Sequence, residues 1–125
     1  MIVYKWTIKK QGMYYPLRNY KVDGGKHNYS PYEVGKIYKT QCKDKCPYVI
    51  KLRNDRNSLT RFEGYHFWKE KTNEYFNKWN NFLDKNEQPK INAILKCEVK
   101  QEDIFIQNNY QLVAKQFRIL KEEVI

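Results

Sequence analysis

The chain has 125 residues, 41% of them hydrophobic and 16% aromatic, which suits one packed core, leaves too little for two, and excludes a disordered polymer. Apolar residues nowhere run to the roughly 18 that a membrane helix needs. Met1-Ile2-Val3-Tyr4-Lys5 reaches a charge too early for a secretory signal, so a single domain over 1–125 working in the cytosol is expected. The net charge is +10, and all of it resides in residues 1–62, which hold 14 Lys/Arg against 4 Asp/Glu, whereas residues 63–125 hold 10 of each.

In chain order, Ile2, Tyr4, Trp6 and Ile8 alternate with other residues at period two, the signature of a half-buried strand. Lys9 to Gly12 reads as a turn. Between Tyr14 and Thr40 the punctuation of Pro16, Gly24-Gly25, Pro31 and Gly35 predicts loops with short extended pieces, one of them Glu33–Tyr38. Tyr48–Leu52 is a short strand, and 53–61 is a polar turn carrying Arg53, Arg56 and Arg61. Trp68, Thr72, Tyr75, Phe76, Trp79, Phe82 and Leu83 recur at spacings of three and four, which predicts an amphipathic helix over about 68–84 with its aromatic stripe in the core. Ile91 to Val99 alternates as a strand, Lys100 to Asp103 turns, Ile104-Phe105-Ile106 extends, Asn108-Asn109 turns, and Val113 to Ile119 forms a final strand. The expected class is therefore α+β, a mostly antiparallel sheet with one principal helix, because the late strands are joined by turns too short for parallel crossovers.

Charge of this size and asymmetry favours an anionic partner, nucleic acid or nucleoprotein, over the general solubility that a basic surface also confers. The candidate contacts are Lys9, Lys10, Arg18, Lys21, Lys26, Lys36, Lys39, Lys43, Lys45, Lys51, Arg53, Arg56 and Arg61. His66 joins them: in Gly64-Tyr65-His66-Phe67-Trp68 an extended chain points Tyr65 and Phe67 one way and His66 the other, toward a cleft or into a structural contact. The cysteines number three, an odd count that suits reduced thiols. Cys42 and Cys46 could form half of a zinc site, but Cys97, His27 and His66 show no ligand-pair spacing to complete it, so no metal is expected. No phosphate-binding glycine loop is present, and the sequence pairs neither histidine with a cysteine as nucleophile and base.

The succession of an opening strand with Tyr4-Lys5, then Tyr32-Glu33-Val34-Gly35-Lys36, then Gly64-Tyr65-His66-Phe67 running into a helix resembles small phage and bacterial domains of the ADP-ribosyltransferase-like fold. The segments from Ile94 to Ile104 and from Val113 to Leu120 complete the similarity, which spans most of the chain. The resemblance implies one of two activities. Tyr4 or Lys5 stands where the family's first strand carries His or Arg, which implies a non-catalytic, phage-encoded binding protein without a cofactor, docking on nucleic acid or nucleoprotein as inhibitors of host defence do. The alternative is NAD-dependent transfer of ADP-ribose to a macromolecule, with NAD as cofactor and Tyr4, Tyr65 and Glu98 or Glu102 in the cleft.

Overall fold

The computed structural model describes residues 1–17, 31–39, 64–85 and 87–125. Strand β1 (Ile2–Lys10) turns through Gln11-Gly12, both at positive φ (51° and 79°), into β2 (Met13–Pro16). Such a two-residue loop matches the twist of a hairpin, and Gly12 adopts its conformation without steric cost. β3 (Ile37–Lys39) and β4 (Tyr65–Trp68) precede the helix α1 (Glu74–Lys85). β5 (Ala93–Glu98), a 3-10 turn (Gln101–Asp103), β6 (Ile104–Gln107), β7 (Gln111–Ala114) and β8 (Gln116–Glu123) follow. Every ladder between these strands is antiparallel, in the order β3-β8-β5-β1-β4-β7-β6 with β2 extending β1. The α+β class expected from the sequence is therefore observed.

Connectivity forces this sheet to curl. Lys115 alone separates Ala114, the end of β7, from Gln116, the start of β8, so their Cα atoms lie within about 7.6 Å. In a flat sheet the four ladder steps between these strands would hold them about 19 Å apart. The sheet instead bends back on itself and encloses a core of Val3, Phe67, Leu95, Cys97, Leu112, Ala114, Phe117 and Ile119, with Tyr14 and Tyr32 packed against it. Asp103 pins the corner: its carbonyl accepts from the Lys115 amide at 2.9 Å, and its carboxylate lies 3.8 Å from Lys115 Nζ.

The outer face carries α1. Trp6 stacks on Trp68 at 4.1 Å, Phe76 meets Trp6 edge-on, and Leu83, Ile91, Ile94 and Trp79 complete a second core. Trp6 Nε1 also donates to the Lys71 carbonyl at 2.8 Å, which ties the turn between β4 and α1 to the sheet.

Four expectations are corrected. β1 is buried on both faces rather than one, because Val3, Lys5 and Thr7 point into the curl while Trp6 lies under the helix. The helix begins at Glu74 and not near Trp68, which is the last residue of β4. Asn73 sets that boundary by accepting a hydrogen bond from the Tyr75 amide, at 2.8 Å, through its side chain. The strand predicted over Val113 to Ile119 is two strands that share no ladder, split at Lys115. The extended piece expected at Glu33–Tyr38 lies at Ile37–Lys39, preceded by a bridge from Tyr32 to Tyr14. The strand expected at Tyr48–Leu52 lies outside the described residues.

Candidate functional site

The interior of the curl holds a cation. Lys5 is 8% exposed, and its Nζ lies 4.6 Å from the ring centre of Phe67, 5.5 Å from that of Tyr32 and 5.6 Å from that of Phe117. It donates to the His66 carbonyl at 2.8 Å. That carbonyl is available because β1 and β4 share one registered pair, Tyr4 with Trp68, after which β2 takes the same side of β1. No carboxylate among the described residues lies within ion-pair distance of Lys5. Burial pushes its pKa down to about 8, partly opposed by the neighbouring Cys97. The same burial pushes the Cys97 thiol up to about 12, which keeps it protonated and poorly nucleophilic at neutral pH.

The outer face beyond α1 has different chemistry. β-register aligns two rows of side chains across it: Tyr4, Lys96 and Lys121 in one, and Ile2, Glu98, Arg118 and Ile37 in the other. Lys39 follows on the edge strand β3, opposite Gln116. A bulge opposite Lys96 and Cys97 admits Leu120 as an extra residue of β8. Lys39, Arg118, Leu120 and Lys121 are exposed, as is Ile37, which shows 52% of its surface. Lys121 has Glu123 at 3.8 Å, and Glu98 stands opposite Arg118.

The structure treats the sequence-derived candidates unequally. Lys9 pairs with Glu122 at 3.1 Å beside Tyr14; the hydrogen bond to Glu122 raises the Lys9 pKa, and hydrogen bonds first from Tyr14 and then from Lys9 lower that of Glu122. Lys36 pairs with Glu33, and that contact raises its pKa likewise. Lys10 sits exposed at the end of the first hairpin. His66 lies in register with Val113, its side chain on the face opposite Tyr65 and Phe67. Arg18, Lys21, Lys26, Lys43, Lys45, Lys51, Arg53, Arg56 and Arg61 lie outside the described residues, as do His27, Cys42 and Cys46.

The transferase candidates are brought together only in part. Tyr4 and Glu98 share the outer face in adjacent rows of the β1–β5 ladder, whereas Tyr65 packs inside the curl 4.8 Å from Phe117 and Glu102 is exposed in the 3-10 turn. Lys96, Arg118 and Lys121 were not among the candidates drawn from the sequence, because counting by halves of the chain makes residues 63–125 neutral. The available signal was local: Leu95-Lys96-Cys97 and Phe117-Arg118-Ile119 each flank a cation with residues that point into the core.

Among the described residues no group of three His, Cys, Asp or Glu could hold a metal ion, and no helix is long and apolar enough to cross a membrane. No protein-family model matches this chain, and no curated protein and no solved structure matches it.

Proposed function

We propose that this protein binds nucleic acid along the outer face of β5, β8 and β3, with Lys96, Lys121, Arg118 and Lys39 contacting phosphates. The observation that carries the proposal is the cross-strand pair Lys96 and Lys121, two cations directly opposite each other on the outer face, Lys121 exposed and Lys96 half-buried. Like charges so placed weaken a sheet, and a polyanion laid across them converts that repulsion into attraction. The overall charge of +10 adds a long-range field that steers such a partner in.

Anisotropy titration of a labelled oligonucleotide tests this. Affinity should fall steeply between about 50 and 200 mM salt as counterions cease to drive binding. The double variant R118E/K121E should bind at least about ten-fold more weakly and with a shallower salt slope. Affinity indifferent to salt, or unchanged in the variant, rejects the assignment.

A further inference from the structure

From the composition of the same outer face, and resting on the nucleic-acid reading above, we infer that the preferred ligand is a single strand and not a duplex. The two rows interleave their cations with apolar groups: Ile2 is 39% exposed, Leu120 37% and Ile37 52%, while the Tyr4 ring is partly exposed at the end of the row that contains Lys96 and Lys121. A duplex offers this face only its phosphate backbone, since its bases are reached through grooves that admit a helix or a two-stranded ribbon. A face of three hydrogen-bonded strands, β5, β8 and β3, is too broad to enter a groove. Against a duplex, Ile2, Ile37 and Leu120 would stay wet, and their exposure would gain nothing from binding.

A single strand changes the balance. Its bases splay away from the backbone and lie on ring or aliphatic surfaces while its phosphates track the cations, and such contacts tolerate any sequence because every base has a flat apolar face. Strands lie about 4.8 Å apart and alternate residues of one strand about 6.8 Å apart, so Ile37 and Leu120 each have a cation as a near neighbour. Ile37 sits opposite Arg118, and Leu120 immediately precedes Lys121. Glu98, opposite Arg118, would repel a phosphate but can accept a hydrogen bond from a base amino group. That places bases over Ile2 and Ile37 and the backbone over the row holding Lys96 and Lys121, with the Arg118 guanidinium, beside Ile37, reaching to an adjacent phosphate.

The test compares a single strand of about 12 nucleotides with the duplex of the same sequence and length, using wild type, I37T/L120T and R118E/K121E. The expected result is at least about ten-fold tighter binding of the single strand. I37T/L120T should erase most of that preference with the salt slope unchanged, and R118E/K121E should weaken both ligands. Equal affinity for strand and duplex, or a preference that survives I37T/L120T, overturns the single-strand inference while leaving nucleic-acid binding in place. Failure of wild type to bind either ligand overturns both. The substituted side chains are exposed, and matched urea midpoints will establish that each variant is folded.

Discussion

Replacing Lys5 by Met should stabilise the protein at neutral pH, and by an amount that shrinks as the pH rises. The native state holds the Lys5 pKa near 8 against 10.5 for an ordinary lysine. At about 1.4 kcal/mol per pKa unit, that depression means the folded protein tolerates the charged amine at a cost of about 3 kcal/mol. Met has a similar length, no charge and a polarisable sulfur that suits the ring edges of Phe67, Tyr32 and Phe117. The variant leaves the His66 carbonyl without its donor, which costs about 1–3 kcal/mol. The expected net gain at pH 6.5 is therefore about 1 kcal/mol.

The pH dependence discriminates better than the gain itself. A base with a depressed folded pKa destabilises the native state fully below that pKa, and the penalty fades as pH rises from about 8 toward 10.5, because the native amine has shed its proton while the unfolded one has not. Wild type should accordingly close on the variant by about 1.4 kcal/mol between pH 6.5 and pH 9. Cys97 runs the other way: its thiol, raised to about 12, favours the folded state up to the ordinary thiol range near 9.0, and that stability is lost as pH rises toward 12. Taking the difference between the two proteins, and stopping at pH 9, keeps this opposing effect small. Urea midpoints followed by tryptophan fluorescence at four pH values supply the measurement. Parallel stability curves, or a variant more than about 2 kcal/mol less stable at pH 6.5, would show that the amine is not held charged against its preference.

Gly64→Ala should destabilise by about 3 kcal/mol or more, since φ is +130° there and an added Cβ would stand 2.9 Å from Val113 Cγ1 and 3.0 Å from the Ala114 carbonyl oxygen; thermal unfolding checks it. Asn73→Ala should cost about 1 kcal/mol through loss of the cap on α1. Asn73→Ser should match wild type in the same melts, because it keeps a capping oxygen and deletes the buried amide nitrogen Nδ2 that has no partner among the described residues. Lys121→Gln removes both the repulsion across the Lys96 pair and the 3.8 Å ion pair with Glu123, which offset each other, so its stability in urea should stay within about half a kcal/mol of wild type while oligonucleotide binding weakens; unchanged binding would contradict the role assigned to Lys121. Alkylation at pH 8 followed by peptide mass spectrometry should leave Cys97 unmodified in the native protein and modify it in urea, as expected of a buried thiol raised to about 12.

What the sequence discloses here divides along a physical line. Period-two alternation located β1 and β5, the apolar run Ile104-Phe105-Ile106 between two turns located β6, and the three-and-four spacing of Tyr75, Phe76, Trp79 and Leu83 located α1, because burial of an element's face is a local property. The same spacing counted Trp68 into the helix, where no local rule could separate it, since its burial comes from stacking on Trp6, 62 positions earlier in the chain. The split at Lys115 was hidden for the same kind of reason. Val113 and Phe117 keep a strand-like pattern through the corner, and the partners that give the corner away belong to β4 and β5. The candidate site was legible to the extent that it depends on charge and illegible to the extent that it depends on pairing. Net charge marked the protein as basic, yet it placed the weight on residues 1–62 and passed over Lys96, Arg118 and Lys121. Those three acquire meaning once the bulge at Leu120 sets the register, because Lys121 then stands across from Lys96. The bulge also lets Ile119 and Glu122 both point inward while Leu120 and Lys121 both point outward. A strand that alternated strictly through this point would bury Lys121 and expose Glu122 on the outer face, exchanging a cation for an anion there. The outward placement of Lys121 therefore depends on the bulge as long as Leu120 is present. Deletion of Leu120 should leave a regular ladder with Ile119 inward and Lys121 still outward opposite Lys96, so that salt-dependent oligonucleotide binding survives the deletion where the sheet survives; its loss would contradict this register.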